Sequence, residues 1–233
     1  MDFSLPYFTY CENTMGFIAQ PFNVLTSFIY LGIAAWIWVR SYEGEPEFHQ
    51  ITAFLVFIHG LCSMYWHAVN IPMGLVFDII SALLLTASLA MVLCVKALKW
   101  PIWGSMLTVV IMFLSSTFLK DAGIPYLTQN GGAFLPPLFL LAFVALKLQA
   151  KNQDATIYLL SAAYTLFFGV ICRSIDWAVC DKFPAGTHFI SHIFAAISIF
   201  YTVKAIETAT VLPKKEVERK PEKPKNILDS DLI

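Results

Sequence analysis

Two pairs of residues stand out for their chemistry. His188 and His192 lie four apart in "THFISHIF", and Ser63 and His67 lie four apart in "GLCSMYWHAV". Residues four apart on a helix share a face, so each pair can aim both side chains at one centre. Two imidazoles spaced this way are the helical donor pair that zinc accepts, and a third from elsewhere leaves an open fourth position, the pattern of a catalytic zinc site. His67, His188 and His192 are therefore the candidate metal ligands. Zinc in such a site lowers the pKa of its water to about 7 and polarises a bound carbonyl. Asp78 could take the water's proton, and the Ser63 hydroxyl could hydrogen-bond a developing oxyanion. A lone histidine near a membrane surface is more often a packing residue, and His49 and His59 are read that way. Trp66, Trp177 and Tyr10 fit the aromatic belt of a membrane interface.

These groups are set in an apolar chain. Of 233 residues 58% are hydrophobic and 13% charged, with mean hydropathy +0.68, whereas soluble domains carry about 25% charged residues. Too few polar groups remain to cover a water-exposed surface, which places the chain in a bilayer. About 20 apolar residues cross a membrane. Seven such runs are expected, near 20–40, 48–67, 72–95, 101–119, 132–149, 155–174 and 187–209, with Pro136 and Pro137 in the first turn of the fifth or kinking it. The expected fold is an all-α membrane protein. Residues 1–19 precede the spans, 20–210 form the seven-helix domain, and the Pro/Lys/Glu-rich tail 211–233 is expected to be disordered and solvated. The start lacks a basic stretch followed by an apolar run, so it does not read as a cleaved signal peptide. The net charge of -1 gives no argument for a nucleic-acid partner.

Lys and Arg are counted for orientation. Twelve fall on the side of loops one, three, five and the tail, against Lys120, Arg173 and Lys182 on the other. This predicts an outside N-terminus and a cytoplasmic C-terminus. On that map His67, Asp78, His188, His192, Glu12, Asn23, Ser27 and Asp176 all fall in the outer half of the bilayer. Ionisable groups in hydrocarbon are costly and mark function. A transporter or proton relay would spread such groups toward the midplane.

The ordered set Ser63-x-x-x-His67, Asp78 and His188-x-x-x-His192 resembles the CREST superfamily of membrane hydrolases, and within it the alkaline ceramidases. "YCENT" resembles that family's Trp-Cys-Glu-x-Asn segment, "AQPFNVLTS" its Glu-Phe-x-Asn-Thr-x-Ser stretch, and "SIDWAVCD" its Asp-x-x-x-Cys segment. The likeness covers residues ~10 to ~200. It implies a zinc amidase with His67, His188 and His192 as ligands and Ser63 and Asp78 around the metal-bound water, cleaving ceramide to a sphingoid base and a fatty acid. The implied substrate is a membrane lipid, ceramide or a related acyl amide, and the implied location is a bacterial inner membrane or an internal eukaryotic one. A non-catalytic heptahelical receptor or lipid-binding protein of the same superfamily is the alternative.

The family's calcium site uses several carboxylates. Here Thr9 and Tyr10 stand where Asp-Trp would, Gln20 replaces a glutamate, and Glu12 remains. One carboxylate is a poor calcium cage, which argues against Ca2+. "FDIIS" also lacks the Asp-Glu-x-Pro that follows the family's third-span aspartate. Cys11 and Cys180 both map outside, where oxidation is permitted, and the resemblance pairs them in a disulfide. Cys62, Cys94 and Cys172 read as small apolar fillers.

Overall fold

The structure is a computed structural model that describes residues 10–14, 16–42, 46–121 and 131–210. The expected disorder of the tail 211–233, and Thr9 of the calcium comparison, lie outside the described residues. Among the described residues every element is helical: α1 (Pro21–Arg40), α2 (Pro46–Val69), α3 (Pro72–Val92) continuing into a π-helical turn at Leu93–Ala97, α4 (Ile102–Asp121), a 3₁₀ turn at Gly131–Phe134 leading into α5 (Leu135–Leu148), α6 (Gln153–Val179) and α7 (His188–Thr210). Among the described residues, seven helical segments are long and apolar enough to cross a membrane.

Local chemistry sets the helix ends. Pro21 and Pro72 open α1 and α3, where a missing N–H costs nothing. The α1 start has no cap from its own neighbour; instead the Glu12 carboxylate accepts the N–H groups of Phe22 and Asn23. Asn152 caps α6 by accepting from Ala155 N at 3.0 Å and donates to Thr208 O at 3.0 Å, pinning the start of α6 to the end of α7. Asp176 accepts the N–H groups of Thr187 and His188 at 2.6 and 2.8 Å and so caps α7 from outside it.

The expected sixth span stops at 174, but α6 runs on to Val179. Arg173 and Asp176 look like a break in an apolar pattern. In the folded chain Asp176 is fully buried and consumed by backbone donors, so the helix continues past it. The fifth span begins with the 3₁₀ turn, and its prolines fall in the first turn of α5.

α1 packs between α2 and α7, with α6 against α7, α3 against α2, and α4 at the edge. Ile37, Val56, Leu93, Val144, Leu159, Val203 and Ile206 are buried along its axis. A Cβ on Gly60 would come within 3.0 Å of Tyr30 and Leu31, so this position lets α1 and α2 approach closely. The outside is equally apolar: Phe54, Leu84, Trp103, Leu114, Phe118 and Leu146 are exposed. Water would not tolerate so large an apolar surface, whereas lipid would.

Polar clusters occupy both ends. Where α1 and α7 finish, Glu207 receives His49 Nε2 at 2.9 Å, Arg40 Nε at 3.3 Å and Lys204 Nζ at 3.3 Å, tying three helices together. His49, expected near an interface, is buried in this cluster. The second cluster lies where α1, α3 and α7 begin and α2 and α6 end.

Candidate metal centre

His67 comes from the last turn of α2, and His188 and His192 from the first turns of α7. All three are buried, and one ligand nitrogen from each lies within 4.8 Å of the others. His188 Nε2 and His192 Nε2 are 3.2 Å apart. Nitrogens bound at about 2.0–2.1 Å around a tetrahedral ion stand roughly 3.3–3.4 Å apart, so this pair already has a ligand spacing.

The surrounding hydrogen bonds decide which nitrogen carries a proton. Gln20 Oε1 meets His67 Nδ1. An amide oxygen only accepts, so Nδ1 holds the hydrogen and Nε2 keeps its lone pair. Thr26 donates to the backbone carbonyl of Phe22 at 2.9 Å, and Ser27 to that of Asn23 at 2.8 Å. Their oxygens, each 3.3 Å from His192 Nδ1, are therefore acceptors there, which leaves His192 Nε2 free as a ligand. Partners that fix imidazole tautomers in this way are the usual surroundings of metal-bound histidines. His188 Nδ1 is buried with no hydrogen-bond partner. Tyr10 stacks on its ring at 3.7 Å and 17° instead. The donor set and its orientation fit a divalent ion such as zinc.

The segment before α1 closes this end of the bundle. Gln20 N and Ala19 N donate to the carbonyls of His67 and Ala68, each at 3.0 Å. A disulfide joins Cys11 to Cys180, with Cα atoms 5.1 Å apart, and Cys11 N donates to Asp176 at 3.0 Å. Gly186 has φ +62°, and a Cβ there would lie 2.2 Å from Asp176 Oδ1 and 2.6 Å from Cys11 Cβ. Burial pushes the Tyr10 phenol above its ordinary pKa, with the Arg173 guanidinium pulling the other way. Arg173 Nη2 is 3.4 Å from the Tyr10 hydroxyl. Burial also pushes Glu12 up, against the pull of the Phe22 and Asn23 N–H groups.

Ser63 is buried and 3.1 Å from Ser27 Oγ, and its hydroxyl lies close enough to Asp78 to act on the carboxylate. Asp78 is not among the converging ligand atoms; it stands behind Ser63, with Oδ1 3.8 Å from His59 Nδ1. Several participants escape sequence reasoning. Tyr10 and Trp66, expected in an interfacial belt, are both buried, packed together with Leu75; Trp177 is exposed. Gln20, noted only as a lost calcium ligand, orients His67. Thr26 and the capping role of Asp176 carry no signature, because each acts on a residue distant in sequence.

The chain matches no protein-family model, and no curated protein matches it.

Proposed function

We propose that this chain is a zinc-dependent hydrolase of lipid amides, with ceramide as its substrate, and that its N-terminus lies on the outer side of the membrane. The observation that carries the reading is the convergence of three buried imidazole nitrogens, two of them 3.2 Å apart, inside a bundle of apolar helices. Such a centre is costly to keep in a membrane domain without a use. Zinc held by His67, His188 and His192 would supply a Lewis acid and a water made acidic near neutral pH. Asp78 is the group to accept a proton, and Ser63, 3.1 Å from Ser27 Oγ, is the group to hydrogen-bond a substrate oxygen. Gln20 holds the His67 imidazole, and Thr26 and Ser27 the His192 imidazole, in the ligand tautomer. Tyr10 and the disulfide-tethered segment over His188 restrict water. The excess of Lys and Arg on the opposite side supports the orientation.

The test is to purify the protein, quantify bound zinc, and follow fluorescent ceramide hydrolysis by the wild type and His67→Ala. The expected result is one zinc per chain and turnover in the wild type. His67→Ala should lose the metal and about a thousandfold in rate, corresponding to several kcal/mol of charge stabilisation. Zinc without hydrolysis of any acyl amide would instead favour a receptor or lipid-binding protein, and a wild type without zinc would remove the metal reading altogether.

A further inference from the structure

His59 carries no role in the chemistry described so far, yet it is built into the surroundings of Asp78. On α2 it stands four residues before Ser63 and eight before His67, so the three form a stripe facing the same side of the bundle. Its Nδ1 is 3.1 Å from Ser81 Oγ and 3.8 Å from Asp78 Oδ1. Ser81 donates its single hydrogen to the backbone carbonyl of Asp78 at 2.8 Å. Its oxygen can therefore only accept from His59, which places the imidazole hydrogen on Nδ1. That N–H reaches Ser81, with Asp78 Oδ1 close beside it. Asp78 Oδ1, the carboxylate oxygen on that side, is buried and has no hydrogen-bond partner. The edge of the Tyr30 ring, 4.9 Å from the imidazole, bounds the other side of His59.

Asp78 thus lies beside two groups of α2: the Ser63 hydroxyl, which acts on its charge, and His59, whose Nδ1 is 3.8 Å from its Oδ1. The remaining charged or titratable groups acting on it are Arg173 from α6, Tyr10 from the N-terminal segment and Tyr30 from α1. A carboxylate in an apolar bundle with one bare oxygen would otherwise turn away or lose its charge. We propose that His59 is a positioning residue for Asp78: its Nδ1–H, oriented by Ser81, supports the carboxylate's charge and keeps it turned toward Ser63. The proposal rests on the hydrolase reading above for the use to which Asp78 is put.

His59→Leu removes the N–H, while His59→Asn restores an N–H at the place of Nδ1, because the asparagine amide nitrogen occupies a similar position. Three quantities are measured in both variants and the wild type: kcat and KM on ceramide, bound zinc, and the infrared carboxylate band of Asp78, isolated by subtracting Asp78→Asn and followed against pH. For His59→Leu, kcat is expected to fall 10- to 100-fold, the scale of losing an orienting partner. KM should stay within about twofold and zinc at one per chain. The Asp78 carboxylate band should shift from its wild-type position. His59→Asn should recover most of the rate and return the band toward wild type. The proposal is overturned if His59→Leu leaves the Asp78 band unmoved, if His59→Asn is as impaired as His59→Leu, or if His59→Leu loses its zinc. Should the wild type hold zinc and hydrolyse no amide, the hydrolase reading fails separately, and the infrared band still decides the role of His59.

Discussion

Gly186→Ala is the substitution whose cost can be worked most directly from the geometry. Gly186 sits at φ +62°, a region that costs an L-residue about 1–2 kcal/mol. The new methyl would lie 2.2 Å from Asp176 Oδ1 and 2.6 Å from Cys11 Cβ. Cys11 is tied by its disulfide to Cys180, so the carboxylate is the group that has to retreat. Its Oδ1 accepts both Thr187 N and His188 N, and a hydrogen bond to a charged group contributes about 1.5–3 kcal/mol. Strain and both bonds together come to about 4 kcal/mol at the low end of those ranges. For a chain of this size that corresponds to a fall of roughly 10 °C in the thermal midpoint. The residue is two positions from His188, so bound zinc should fall with stability. The assay is heating in detergent, followed by circular dichroism, with metal content measured on the same samples. Gly32→Ala is the control: a Cβ there meets nothing within 4 Å, and alanine is the better helix former by about 1 kcal/mol, so its midpoint should hold or rise. In an Asp176→Ala background the carboxylate is gone, so Gly186→Ala should cost less than it does alone. A midpoint within about 2 °C of wild type, or strict additivity with Asp176→Ala, would refute the reasoning.

Two further outcomes follow from the same end of the bundle. Gln20→Met keeps the volume but removes the acceptor of His67 Nδ1; it should weaken zinc binding about 10- to 100-fold in chelator competition with little loss of helix content. Glu12 has a folded-state pKa raised by burial, so its contribution to stability is fully present below its unfolded value, about 4.3, and is lost as pH rises through the higher folded value. The wild-type thermal midpoint should therefore decline over that interval, and Glu12→Gln should flatten the decline; equal slopes in the two proteins would contradict the assignment.

The sequence by itself determined the seven apolar helices, because each run must satisfy its own backbone in hydrocarbon and needs a fixed length to cross it. The spacings Ser63-x-x-x-His67 and His188-x-x-x-His192 were equally legible, since helical periodicity alone puts such residues on one face. What no local pattern could decide is how these faces meet. Asp176 of α6 caps α7, and Glu12 caps α1 from the segment before it. Gln20 orients an imidazole 47 positions away, and Tyr10 is folded over His188 rather than anchored in an interface. His59 looked like filler until α3 brought Ser81 and Asp78 beside it. These roles depend on distances of a few ångströms between groups far apart along the chain. Helical periodicity carries no information about such distances; the packing of one helix against another sets them.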